Sequence, residues 1–193
     1  MQKGLYIVNK DIFERIYGAD ERREIESLVD IYAPLQDPNT ILKNSSVLND
    51  AEVIFLTWGA PMLNEAFLQA APNLKAVFYA AGSIKGFTPP EFWDRNIKIT
   101  SAYGANAVPV AEFTVSQILY CMKCGWHITL PFIREHTYPK TVPLKGSYQT
   151  TVGIISLGMI GSMVCRRLES TDLNILAYDP YADPVHLPTS KVK

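Results

Sequence analysis

Short apolar runs alternate with helix-like stretches in the first half of the chain. Runs of β-branched and aromatic residues predict strands at residues 5–8, 53–57, 74–80 and 97–100, with a further short strand at Ile31 and Tyr32. Apolar spacing and capping residues predict helices at residues 12–17, capped by Asp11, at residues 61–71, and after Pro89. Strands that alternate with helices predict a parallel sheet with both faces covered.

A longer helix is predicted after these elements. Apolar residues recur every three or four positions over residues 106–124. Asn106 is expected to cap its start, with Pro109 in the first turn, where proline is tolerated. Residues 131–146 contain three prolines and lose this periodicity. They are therefore expected to form a connecting segment.

The last part of the chain has the pattern of a strand, a glycine-containing bend and a helix. Residues 151–155 are a continuous apolar run, as buried parallel strands show, and the sequence SLGMIG follows at residues 156–161. Helical spacing continues after the bend, and residues 173–178 form a second apolar run. The pattern predicts one βαβ unit.

The bend suits a pyrophosphate. Backbone N–H groups and the positive end of the helix meet there, Gly158 lets the backbone approach phosphates, and Gly161 permits close packing of helix and strand. Ser156 replaces the first glycine of the usual pattern; serine tolerates a tight turn if its φ stays negative, so the loss weakens the motif without cancelling it. Asp179 follows the second strand, where an acid binds ribose hydroxyls; it would repel a 2′-phosphate, which favours NAD over NADP.

Composition narrows the class of protein further. The chain has 193 residues, is 48% hydrophobic and 19% charged, and carries a net charge of −1. This excludes a disordered chain and offers no electrostatic footprint for nucleic acid or an anionic membrane. Three cysteines are too few for a disulfide framework, and the N-terminus lacks the apolar core of a signal peptide. We expect a soluble cytoplasmic protein that binds neither nucleic acid nor membrane and holds no metal.

Residues 151–184 resemble the cofactor-binding core of the D-isomer-specific 2-hydroxyacid dehydrogenases. Three upstream segments agree with this resemblance: residues 72–75, 80–82 and 106–114. The resemblance implies an α/β protein, with a flavodoxin-like parallel-sheet domain followed by the first part of a Rossmann NAD-binding domain. Residues 1–101 would be the substrate-side domain, and residues 102–193 the interdomain helix and the incomplete Rossmann domain.

The same resemblance assigns site residues. Those implied to bind the cofactor NAD are Gly158, Met159, Ile160, Gly161, Asp179, Pro180, Val110 and Thr114. The loop implied to offer N–H groups to a substrate carboxylate is Ala81, Gly82 and Ser83. Trp58 either projects into the interdomain cleft as part of the substrate pocket or packs against the long helix.

The resemblance also implies an activity. An NAD-dependent oxidoreductase would transfer hydride between NAD(H) and a small 2-hydroxy or 2-keto acid such as glyoxylate or hydroxypyruvate, as a homodimer in its full-length form. The family's catalytic arginine, acid and histidine would lie beyond Lys193, so we expect no catalytic residue here and no turnover by this N-terminal part alone. The alternative is a non-catalytic nucleotide-sensing or partner-binding module on the same fold.

The remaining candidates for chemistry have simpler interpretations. Cys121 and Cys124 form a C-x-x-C motif, but it closes the predicted long helix, whereas redox motifs open one; no second pair completes a zinc site. The histidines are expected to be solvated loop residues without a nearby acid; they are His127, His136 and His186.

Overall fold

A computed structural model describes residues 1–138, 140–142 and 146–193. The strands are β1 Gln2–Ile7, β2 Val29–Ile31, β3 Val53–Leu56, β4 Ala76–Tyr79, β5 Lys98–Ser101, β6 Thr151–Ile155 and β7 Asn174–Tyr178. The α-helices are α1 Lys10–Ile16, α2 Ala19–Leu28, α3 Glu65–Ala70, α4 Pro90–Trp93, α5 Tyr103–Met122, α6 Gly125–Glu135 and α7 Met159–Leu168. A 3₁₀ segment spans Ile41–Asp50. The chain forms two compact units, Met1–Tyr103 and Gly104–Lys193.

The first unit is built on a five-stranded sheet in the order β2-β1-β3-β4-β5, with all neighbours parallel. This is the flavodoxin-like strand order, so the predicted fold class is confirmed. Side chains of β1 alternate between the two faces. Leu5 and Ile7 enter the larger apolar cluster, whereas Tyr6 and Val8 enter a second one. Both faces are thus packed, which is why the central strands are continuous apolar runs.

The second unit contains the parallel pair β6 and β7. A parallel bridge between Ile175 and Val192 extends the sheet on the far side of β7. One face is buried, because Val152 and Ile175 pack in a cluster with residues of α5 and α7, among them Ala111 and Val164. The arrangement is the predicted βαβ unit of a Rossmann domain.

Two predictions about the middle of the chain are wrong. The long helix begins at Tyr103, so Asn106 lies inside it and Pro109 is an interior proline beyond the first turn. Proline at such a position removes one intrahelical hydrogen bond. The expected connecting segment over residues 131–146 begins within α6, which continues to Glu135. Residues 139 and 143–145 of that segment lie outside the described part of the chain.

Helix starts in the first unit also differ from the predictions. Helix α1 is preceded by Asn9, which places Asp11 within its first turn and not at the cap. Helix α3 is shorter than the predicted span because its cap is Asn64, whose side-chain oxygen accepts a hydrogen bond from Phe67 N at 3.1 Å. Helix α2 and the 3₁₀ segment are elements that the apolar pattern did not predict.

The bend between β6 and α7 has an unusual backbone. Ser156 adopts φ +77°, in the left-handed region, so the condition under which serine tolerates a tight turn is not met here. The cause is visible at Gly161, where a Cβ would lie 2.0 Å from the carbonyl oxygen of Ser156. The first turn of α7 therefore rests directly on the backbone of the bend, which only glycine permits.

This contact makes a testable prediction. Gly161→Ala should lower the free energy of unfolding by about 1–3 kcal/mol, because the added methyl group must displace the bend. Gly153→Ala is the matched control, since a Cβ at Gly153 meets no described atom within 4 Å. Urea denaturation followed by circular dichroism measures both. Equal stability of the two variants would contradict the close approach.

Candidate functional site

An open cavity of about 580 Å³ lies between α5, β6 and the start of α7. Its lining includes Thr114 and Ile118 of α5 and the backbone of β6. It also includes four residues of the bend, Gly158, Met159, Ile160 and Gly161. Five of the predicted cofactor residues are therefore brought together around one space.

The start of α7 has the properties of an anion site. Gly158 precedes the helix in an extended conformation, with φ −61° and ψ −168°. Among described atoms, a Cβ built on Gly158 would meet the Ser156 hydroxyl alone, at 3.7 Å, so the backbone surface is open to a ligand. The first N–H groups of a helix have no partner within it, and no acidic side chain stands in this fully described first turn. The bend therefore fits a diphosphate.

Asp179 is tied to the bend by hydrogen bonds. Its Oδ2 accepts from Leu157 N at 2.6 Å and lies 3.4 Å from Ser156 Oγ, while its Oδ1 accepts from Tyr181 N at 2.9 Å. The N–H groups of Tyr181 and Leu157 hold the pKa of Asp179 below its usual value. Oδ2 accepts two hydrogen bonds and Oδ1 one from Tyr181 N, so Oδ1 has a second lone pair that can accept from a ribose hydroxyl.

The bend is held from a second side by a residue that the sequence did not indicate. Ser162 Oγ donates to the carbonyl oxygen of Leu157 at 2.6 Å. Leu157 therefore has its N–H bonded to Asp179 and its carbonyl bonded to Ser162. The sequence could not indicate the role of Leu157, because its backbone N–H and carbonyl groups make these hydrogen bonds and its side chain makes neither.

Of the predicted cofactor residues outside the bend and Asp179, only Thr114 lines the cavity. Thr114 reaches the cavity, but its hydroxyl donates to the carbonyl oxygen of Val110 at 2.8 Å. Val110 is on the surface of α5 and is not among the residues that line the cavity. Pro180 is exposed in the turn after β7 and does not line it either.

The predicted substrate residues lie in the first unit, where neighbouring parallel strands end. Trp58 follows β3 and has 49% of its surface exposed. Ala81, Gly82 and Ser83 follow β4; Ala81 is buried, Gly82 is half-buried and Ser83 is exposed. A hydrogen bond from Thr57 Oγ1 to the Ala80 carbonyl oxygen, 3.3 Å long, joins the two loops. Ligands of open α/β sheets bind outside such carboxyl ends.

Two predictions about the histidines are wrong. His127 lies within α6 and not in a loop. His186 has an acidic neighbour, because its Nδ1 lies 2.7 Å from Asp183 Oδ2. This contact, together with the Val185 N–H, holds the pKa of Asp183 below its usual value. The His186 side chain is 81% exposed, so the pair lies on the surface.

No group of three or more His, Cys, Asp or Glu side chains could hold a metal ion in the part of the chain that the structure describes. None of the helices in that part combines the length and apolar character needed to cross a membrane.

Comparison with known proteins shows which family this part of the chain is similar to. The model of the family "D-isomer specific 2-hydroxyacid dehydrogenase, NAD binding domain" matches residues 125–193. The chain is similar to a glyoxylate reductase of Thermofilum pendens, with 35% identity over 58% of this chain and 34% of the relative. It is also similar to a D-3-phosphoglycerate dehydrogenase of Methanocaldococcus jannaschii, with 26% identity over 69% of this chain and 25% of the relative.

A solved structure shows the same fold. The D-lactate dehydrogenase of Aquifex aeolicus, complexed with NAD and lactic acid, matches with a TM-score of 0.70 and 19% identity, covering 94% of this chain and 53% of that one. The chain spans only about a quarter to a half of the lengths of these proteins. The family match includes the bend, α7 and Asp179. Residues 125–193 thus match the NAD-binding domain of the D-isomer-specific 2-hydroxyacid dehydrogenases, and the cofactor of that domain is NAD.

Proposed function

We propose that this chain is part of an oxidoreductase that uses NAD(H) to interconvert a small 2-hydroxy acid and its 2-keto acid. The observation that carries the proposal is the bend at residues 156–161, with Asp179 Oδ2 bonded to Leu157 N at 2.6 Å. Relatives named glyoxylate reductase and hydroxypyruvate reductase support a glyoxylate-like or hydroxypyruvate-like substrate.

Each group of residues has a proposed part. NAD supplies the site that gives or takes hydride. The N–H groups of residues 158–161 bind its diphosphate, and Asp179, followed by Pro180, binds its adenosine ribose. Val110 and Thr114 contact the nicotinamide. In the first unit, Ala81, Gly82 and Ser83 hold the substrate carboxylate by backbone N–H groups, and Trp58 lines the substrate pocket.

We further propose that the protein acts as a cytoplasmic homodimer whose contact involves Phe113 of α5 and the C-terminal end of α6, away from the corner between the two helices. Large apolar side chains on these helices support this, because Phe113, Phe132 and Ile133 are 66%, 58% and 63% exposed. Patches of that kind mark protein interfaces. A cytoplasmic location accords with an odd cysteine count and the absence of a disulfide framework in the sequence.

Titration with NADH tests the cofactor site. The 193-residue chain should bind NADH, and NADPH at least about tenfold more weakly, because a 2′-phosphate would meet the carboxylate of Asp179. Asp179→Asn should reduce the ratio of the NADH affinity to the NADPH affinity and should weaken NADH binding. Asp183→Asn removes the same charge from a nearby surface pair and is the matched control. Isothermal titration calorimetry measures both cofactors. An unchanged preference in Asp179→Asn would refute the role of this carboxylate.

The lowered pKa of Asp179 predicts a pH dependence. Because its folded-state pKa lies below the unfolded value of about 3.9, the carboxylate stabilises the fold above that value and loses this effect as pH falls through the folded pKa. Thermal melts of the wild type and of Asp179→Asn should therefore differ by a constant amount from pH 8 to about 5 and converge at lower pH. A difference that stays constant down to pH 2 would contradict the linkage.

Turnover is predicted to be absent in the isolated chain. The described residues offer positioning groups, but the one histidine–carboxylate ion pair among them, at His186, is on the surface. Absorbance at the NADH band should stay constant when the chain is mixed with NADH and glyoxylate, hydroxypyruvate or pyruvate, although NADH binds. Turnover lost in Gly161→Ala and kept in Asp183→Asn would show that the chain is itself an enzyme. A longer polypeptide that binds NADH without turnover would favour the non-catalytic module.

A further inference from the structure

The corner between α5 and α6 brings two cysteines together. Helix α5 ends at Met122 and α6 begins at Gly125. The N–H of Cys124 donates to the carbonyl oxygen of Cys121 at 2.9 Å, which closes a tight turn. Such a turn keeps the Cα atoms of its first and fourth residues within about 7 Å. Disulfides span Cα separations of about 4.4–6.8 Å, so this backbone is compatible with one.

The place of the motif in the fold differs from its predicted place. The sequence puts C-x-x-C at the close of a helix, which disfavours a redox role. In the structure Cys124 is also the residue directly before α6, with φ +52°. The motif therefore lies at the junction of two helices, with Cys121 in the last turn of α5 and Cys124 directly before α6.

Both cysteines are reachable from solvent. Cys121 is exposed and carries a free thiol, and Cys124 is partly exposed. The two residues line one small open cavity of about 140 Å³ together with Trp126 and His127. A small reagent that enters this cavity comes next to both residues.

The corner is held in shape by side-chain packing. The hydroxyl of Tyr120 is hydrogen bonded to that of Thr129, and the rings of Tyr120 and Trp126 pack edge to face with centroids 5.2 Å apart. A Cβ at Gly125 would lie 2.3 Å from the Tyr120 ring, so this packing needs glycine. The backbone around the two cysteines is thus ordered before any bond joins them, which lowers the entropy cost of closing the ring.

We propose that Cys121 and Cys124 are a dithiol site that a low-molecular-weight disulfide, such as glutathione disulfide, oxidises reversibly to an intramolecular disulfide. The thiolate of Cys121 attacks one sulfur of the oxidant, whose S–S bond breaks and releases one thiolate. The thiolate of Cys124 then attacks the sulfur of Cys121 and displaces the second. Two protein thiols are oxidised, the oxidant is reduced to two thiols, and the two protons pass to those leaving groups.

Mass spectrometry of the whole chain tests the proposal. After incubation with glutathione disulfide and alkylation of remaining thiols, the wild type should lose two hydrogen atoms and protect two cysteines. Lys123 lies between the cysteines, so trypsin should give two peptides that stay joined until dithiothreitol separates them. Cys121→Ser and Cys124→Ser should each lose the linked pair completely.

Cys165→Ser is the matched control. Cys165 is fully buried, and burial raises the pKa of its thiol, so its removal should leave the linked pair unchanged. A wild-type chain that stays reduced, keeps a stable glutathione adduct on Cys121 or forms a covalent dimer would overturn the proposal. None of these outcomes bears on NADH binding, which is measured separately.

Discussion

The hydrogen bond from Leu157 N–H to Asp179 is the interaction on which the candidate site depends. It follows from strand register, because Ile155 and Tyr178 are partners at the carboxyl ends of β6 and β7. The next residues continue the pairing, with Ser156 N donating to the Tyr178 carbonyl oxygen at 2.8 Å. Asp179 is therefore delivered to the bend by the sheet itself. A carboxylate fixed in this way presents a negative charge at a defined distance from the start of α7.

The backbone conformation of the bend costs local stability at Ser156. A residue other than glycine in the left-handed region costs about 1–2 kcal/mol, and Ser156 occupies that region. The bonds that Leu157 makes to Asp179 and Ser162 offset this cost and keep the bend in one conformation. Strained backbone of this kind persists where its surroundings determine it fully, and such positions concentrate at functional sites. The departure from the glycine pattern thus weakens the sequence motif, although Ser156 adopts a φ that favours glycine.

Sequence patterns predicted the strands better than the helices for a physical reason. A strand buried on two faces must be apolar throughout, and β3 is recognisable from that alone. Helix α2 is largely charged and has few apolar positions, so the spacing of apolar residues gives little indication of a helix there. Helix α6 was not predicted because it contains Pro131, and proline usually interrupts a helix. The identity of Asp179 could be predicted because its side chain acts, whereas Leu157 acts through its backbone and the φ of Ser156 depends on the approach of Gly161.

One rule of parallel sheets accounts for the candidate residues in both units. Parallel strands end at the same edge, and the chain must leave that edge through a loop that leads to the next element. In the first unit β3 and β4 are neighbours, so the loops at Trp58 and Ala81 must start side by side. In the second unit the same rule sets the bend at Ser156 beside Asp179. The apolar strands that build each core therefore also decide which candidate residues of that sheet lie close together. A substitution that shifts the register of one sheet would displace the candidate residues of that sheet together.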